Sequence, residues 1–112
     1  MISKLFASFF VTILIISPSF VSAQDIRIRF AKGRTSATMT GRVGSGGRVC
    51  YFASAKKGQS FNATLSSKSG KVAIFETGET SYSYVIELSG DQSVCVDNMG
   101  GATNYTLTVS IR

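Results

Sequence analysis

Asn104-Tyr105-Thr106-Leu107-Thr108-Val109-Ser110-Ile111-Arg112 alternates without a fault. Tyr105, Leu107, Val109 and Ile111 fall on one parity, and Thr106, Thr108, Ser110 and Arg112 on the other. Successive side chains of a strand point to opposite faces, so this two-residue period marks a strand with one dry face and one wet face. A single strand of this kind cannot bury its apolar side alone. It calls for a sheet with a second layer packed over it.

Working backwards, the same pattern recurs. Tyr82, Tyr84, Ile86 and Leu88 alternate with polar or smaller residues, and Val94 to Asn98 forms a strand after the turn Ser89-Gly90-Asp91. Phe61, Ala63 and Leu65 share a face within Ser60–Ser66. Ala37, Met39 and Val43 share one within Ser36–Val43, and Arg48–Ala55 follows the loop Gly44-Ser45-Gly46-Gly47. Ile26, Ile28 and Phe30 alternate with Arg27 and Arg29, which reads as a half-buried first strand. Lys71–Glu76 is almost continuously apolar, as expected of a strand covered on both sides. About eight short strands with regular turn signals predict an all-β fold, a small antiparallel β-sandwich. Antiparallel pairing is expected throughout because the connections are too short for helical crossovers.

Residues 1–23 read as a signal peptide rather than as part of this domain. Lys4 supplies a positive start, Leu5–Ile16 an apolar stretch, Pro18 a helix break, and Val21-Ser22-Ala23 a cleavage site. As a helix the apolar stretch spans roughly 18 Å at about 1.5 Å per residue, short of the ~30 Å of a bilayer core. It therefore reads as an export signal and not as a membrane anchor. The β-sandwich domain is then 24–112, with Gln24 as its first residue.

Two cysteines, Cys50 and Cys95, in an exported chain predict a disulfide. Parity adds its position. Val49, Tyr51, Ala53 and Ala55 take the core face of one strand, and Val94 and Val96 that of another. Cys50 and Cys95 are then both on outer faces, and the simplest bridge is a staple across neighbouring strands of one sheet. Phe52 shares the outer parity with Cys50.

The charge balance is +6, or about +5 without Lys4. The cations are scattered and match no nucleic-acid motif. Histidine is absent, which removes a His-based catalytic triad. A disulfide removes the thiol nucleophile. Glu76 and Glu79 flank Gly78 as an ordinary solvated turn, and Asp91 and Asp97 lack the ligand string of a calcium loop. No enzyme, cofactor or metal is expected. Asn62-Ala63-Thr64 and Asn104-Tyr105-Thr106 match the glycosylation sequon, within or beside strands.

Lys32-Gly33, Ser36-Ala37, Gly41, Tyr51, Ala55-Lys56-Lys57-Gly58-Gln59, Ser89-Gly90 and Asn104-Tyr105-Thr106 stand in an order and spacing similar to bacterial periplasmic inhibitors of goose-type lysozyme. More broadly the chain resembles pre-peptidase C-terminal-like β-sandwich domains. The resemblance covers the whole of 24–112. It implies a jelly-roll-like sandwich, a periplasmic or secreted location, and inhibition by occupying the substrate cleft of a goose-type lysozyme. The alternative is a carbohydrate- or peptidoglycan-binding module that uses Tyr and Asn contacts and inhibits nothing. The expected contact residues are Arg48, Phe52, Lys56, Lys57, Asn98, Met99 and Asn104, on loops near the two ends of the Cys50 strand. Lys68 lies on a different turn, outside this set.

Overall fold

The computed structural model describes residues 23–112, and the expected leader lies, Ala23 excepted, outside the described residues. Eight strands follow one another: β1 (Ala23–Arg27), β2 (Ser36–Val43), β3 (Arg48–Ala55), β4 (Ser60–Ser67), β5 (Val72–Ile74), β6 (Ser81–Val85), β7 (Gly90–Asn98) and β8 (Thr103–Ile111). They form two four-stranded sheets, ordered β1-β3-β7-β5 and β2-β8-β4-β6. We call these sheet A and sheet B. The all-β sandwich expected from the alternation is the observed fold.

The core is the inward parity of every long strand. Phe61, Leu107, Val109, Ile74, Ile86, Val94 and Val96 are fully buried. Each Leu, Ile or Phe removed from such a packed interior costs about 2–5 kcal/mol. Tyr82 and Tyr84 pack beside Phe61, with Tyr84 stacked on it at 5.0 Å between ring centroids. Tyr51 of sheet A and Tyr105 of sheet B meet across the core through a 2.6 Å hydrogen bond between their hydroxyls. Gly41 pairs with Tyr105. A Cβ there would stand 2.6 Å from the Tyr105 hydroxyl oxygen, so a bare residue makes room for the tyrosine pair. Burial, reinforced by Tyr51, holds the Tyr105 hydroxyl well above the ordinary tyrosine range. Burial likewise pushes Tyr84 up to about 12, helped by its neighbour Tyr82.

The disulfide is a cross-strand staple, with Cys50 paired directly to Cys95 in the β3–β7 ladder. Both cysteines lie on the outward parity, yet both are buried. Just past β5, Phe75 donates its N–H to the Cys95 carbonyl. The Glu76 carboxylate accepts the Cys95 N–H. On the same face the Arg48 guanidinium grips Asp97 at 2.5 and 3.0 Å and lies 3.9 Å over the Phe75 ring. Arg27 grips Asp91 at 2.8 and 2.7 Å.

Four expectations are corrected. The first strand is Ala23–Arg27 rather than the Ile26–Phe30 alternation, and it pairs parallel to β3. A parallel partner needs no helical crossover here, because the chain makes its return through β2 in the other sheet. Ile26 is exposed at that edge, while Ile28 is buried. The apolar run Lys71–Glu76 yields only a three-residue strand, since the N–H groups of Thr77 and Gly78 turn back onto the Ile74 carbonyl. Phe75 is therefore half exposed. Leu88, grouped by parity with Tyr82 and Tyr84, is 80% exposed because β6 ends at Val85.

Candidate functional site

Six of the seven connectors between the described strands divide between two ends of the sandwich, and the seventh, 75–80, crosses from sheet A to sheet B. One end holds 44–47, 68–71 and 99–102, the other 28–35, 56–59 and 86–89. The expected contact residues fall on both, so they do not form one site. Arg48, Asn98, Met99 and Asn104 belong to the first end, Lys56 and Lys57 to the second, and Phe52 to the middle of β3.

At the first end, Asn98 is buried and works as a fastener rather than as a contact residue. Its amide nitrogen donates to the carbonyls of Val43, Gly44 and Gly101, and its amide oxygen accepts the Gly100 N–H. Main-chain bonds add to this: Gly46 N–H to the Asn98 carbonyl, Asn98 N–H to Gly47, and Met99 N–H to Lys71. Gly100 lies against Lys71 so closely that a Cβ there would come within 2.8 Å of the Lys71 Cβ. Its lack of a side chain thus makes room for close packing within this end. The buried amide ties 43–44 to 100–101, and the Met99 main-chain bond adds 68–71, which together fix the loop that carries Met99. Met99 stands 70% exposed at its tip.

Beside this loop lies an open cleft of about 670 Å³, lined by Thr40, Gly41, Ser66, Ser67, Lys68, Asn104, Tyr105 and Thr106. Hydroxyl and amide groups and Lys68 stand around it, while most of its exposed wall is carbon. Asn104 is exposed and 3.4 Å from the Arg42 guanidinium, which donates to its amide oxygen. Lys68 was expected on a remote turn. The β4–β8 ladder, which pairs Ser67 with Tyr105, brings it to Asn104 instead. Arg42, Lys68 and Lys71 are thus cations of this end that the sequence reading passed over. Nothing local in the sequence marks them, because only the order of strands in sheet B makes them neighbours.

Arg48 is not a free cation. With Asp97 in its fork and Phe75 beneath, its charge is satisfied within the outer face of sheet A. Phe52 is partly buried on that face beside the disulfide. The four tyrosines take the inward parity of their strands, so none presents an outward ring to a glycan. The outer face of sheet B is a field of hydroxyls and amides. Ser36, Ser110, Asn62 and Ser83 form one cross-strand row; Thr38, Thr108, Thr64 and Ser81 form the next.

No protein-family model and no curated protein matches this sequence. Solved structures do match its shape. PliG of Aeromonas hydrophila, a periplasmic inhibitor of g-type lysozyme, superposes with a TM-score of 0.71 at 21% identity, over 81% of this chain and 98% of that one. The fold is that of the g-type lysozyme inhibitors. A mutant of the Escherichia coli PliG gives 0.64 at 20% identity, over 81% and 100% of the two chains. The Salmonella Typhimurium PliG gives 0.64 at 21%, over 80% and 98%. Each PliG is matched along nearly its whole length, so the likeness extends to both sheets.

Proposed function

We propose that this chain is exported by a leader cleaved after Ala23 and acts in the periplasm as an inhibitor of g-type lysozyme, not as an enzyme. The observation that supports this reading is the whole-length likeness to three PliG inhibitors. Inhibition is steric. The Met99 loop enters the substrate cleft of the lysozyme as a rigid wedge, and the open cleft beside it takes part of the rim. Rigidity matters here because a loop already held in its bound shape has little ordering entropy left to lose on association. Met99 supplies an adaptable apolar tip. Lys68 and Arg42 stand within reach of the loop, and either can meet the carboxylic acid of the lysozyme site with a charge-assisted hydrogen bond.

Titration of a g-type lysozyme against the purified chain, beside chicken- and invertebrate-type enzymes, tests the reading. Stoichiometric inhibition of the g-type enzyme is expected, with little effect on the other two. Sedimentation with peptidoglycan and no inhibition of any lysozyme would replace this reading with that of a glycan-binding module.

A further inference from the structure

The second end of the sandwich carries a different surface. Two of its three connectors, 56–59 and 86–89, are tied side by side, and the third, 28–35, is tied to the end of β8. Gly58 N–H donates to the Ile86 carbonyl and Ile86 N–H to Gln59; Lys57 N–H reaches the Ser89 hydroxyl, and Ile111 N–H the Thr35 carbonyl. Cations scattered along the sequence are gathered there: Arg29, Lys32, Arg34, Lys56 and Lys57, all exposed. None of the five forms an ion pair among the described residues, where the paired cations are Arg27 and Arg48. Glu87 is the one acid on these connectors. The corresponding loops of the Met99 end carry only Lys68 and Lys71. Among the cations stand two aliphatic side chains in water, Val85 at 61% and Leu88 at 80% exposure. Leu88 precedes Ser89, the residue that binds the Lys57 backbone.

We propose that this end docks on a bilayer containing anionic phospholipid. A soluble polyanion would use the lysines and arginines but leave Leu88 and Val85 in water. A membrane surface uses both, since headgroup phosphates pair with the cations while the aliphatic tip settles at the acyl boundary. Long Lys and Arg side chains can lie along that boundary with their charges among the phosphates. Five cations and one exposed leucine give reversible, peripheral association that weakens as salt screens the surface. This placement leaves the Met99 end pointing away from the membrane. It does not depend on the lysozyme reading.

The test is co-sedimentation of the full-length mature chain with vesicles of equimolar phosphatidylglycerol and phosphatidylcholine, against phosphatidylcholine alone. Binding is expected to the anionic vesicles only, and to fall with added salt. Each cation near such a surface is worth about five-fold in partitioning, from about 1 kcal/mol apiece, so Lys56→Ala with Lys57→Ala should lose about 25-fold. Lys68→Ala with Lys71→Ala removes the same charge from the other end and should lose about two-fold or less. Leu88→Ser should weaken vesicle binding while leaving binding to dextran sulfate unchanged. All of these residues are exposed, and a retained thermal transition verifies folding. Three results overturn the proposal: no preference for anionic vesicles, equal loss from the two lysine pairs, or an inert Leu88→Ser. Binding to dextran sulfate without binding to vesicles would assign the surface to an anionic glycan instead.

Discussion

The two ends of this sandwich solve the same problem, holding three loops together, by different means. At the Met99 end a buried side chain joins two of them, the Asn98 amide linking 43–44 to 100–101, and a main-chain bond from Met99 to Lys71 adds the third. At the Lys56 end no buried side chain among the described residues does so; main-chain bridges join 56–59 to 86–89, beside the bond from Lys57 N–H to the Ser89 hydroxyl, and 28–35 is tied to β8. The difference determines what each end can present. A side-chain fastener leaves the loops glycine-rich and nearly uncharged, with one projecting Met99. At the other end the connectors carry five exposed cations that form no ion pair among the described residues. One end is therefore a shaped wedge and the other a charged pad.

The largest effect expected is on what the two ends share. β3 runs from one to the other and is stapled to β7 at Cys50–Cys95, a sequence separation of 45. Cys95→Ser should destabilise the whole domain by about 2–5 kcal/mol, seen as a lower urea midpoint with a steeper slope, because the unstapled denatured chain exposes more surface. Next is Asn98→Ala, at about 1–3 kcal/mol, because it strands the buried Val43 carbonyl and three part-buried backbone groups. Hydrogen exchange should then quicken at 44–47 and 99–102 and stay slow at 56–59. Uniform quickening would mean that Asn98 supports the frame and not this end. Gly41→Ala should cost about 1–3 kcal/mol by pushing the Tyr105 hydroxyl away from Tyr51. Lys56→Ala with Lys57→Ala should move stability by less than about 0.5 kcal/mol, since a side-chain pad without partners holds nothing.

The tyrosines set the alkaline limit. An unfolded tyrosine ionises near pH 10, whereas folded Tyr84 is raised to about 12 and Tyr105 is raised as well. The folded state thus favours the neutral hydroxyl. Their contribution is complete below pH 10 and is lost as pH rises from there towards 12. Thermal melts should be flat across neutral pH and fall over that window, together with tyrosinate absorbance.

Most of the frame was legible because strand parity is a local property. β2 and β3 have the ends read from sequence, and the outward parity of both cysteines follows from Val49 and Val94. Failures came where tertiary partners decide. Leu88 continues an alternation that the chain abandons, because Ile86 turns off to bridge Gln59 and Gly58. Ile26 sits on an edge, where parity alone does not ensure cover. The candidate site was less legible still. Asn98 looks like a loop polar residue in sequence, and only the convergence of 43–44 and 100–101 around it reveals a fastener. Lys68 and Asn104 are far apart along the chain and meet through the β4–β8 register. The charge gathering at the Lys56 end has the same origin, since its members come from two separate turns.

The wedge-and-pad division is tested most directly by inhibition constants against one g-type lysozyme for three folded proteins: the natural chain, Met99→Ala with Lys68→Ala, and Lys56→Ala with Lys57→Ala. Losing a desolvated contact and its charge partner costs about 2–5 kcal/mol, so the Met99–Lys68 variant should inhibit at least about 30-fold more weakly. The Lys56–Lys57 variant should stay within about two-fold of the natural chain, since surface charge outside an interface acts mainly on association rate. Full inhibition by the Met99–Lys68 variant, or its loss in the Lys56–Lys57 variant, would contradict the assignment of the wedge to the Met99 end.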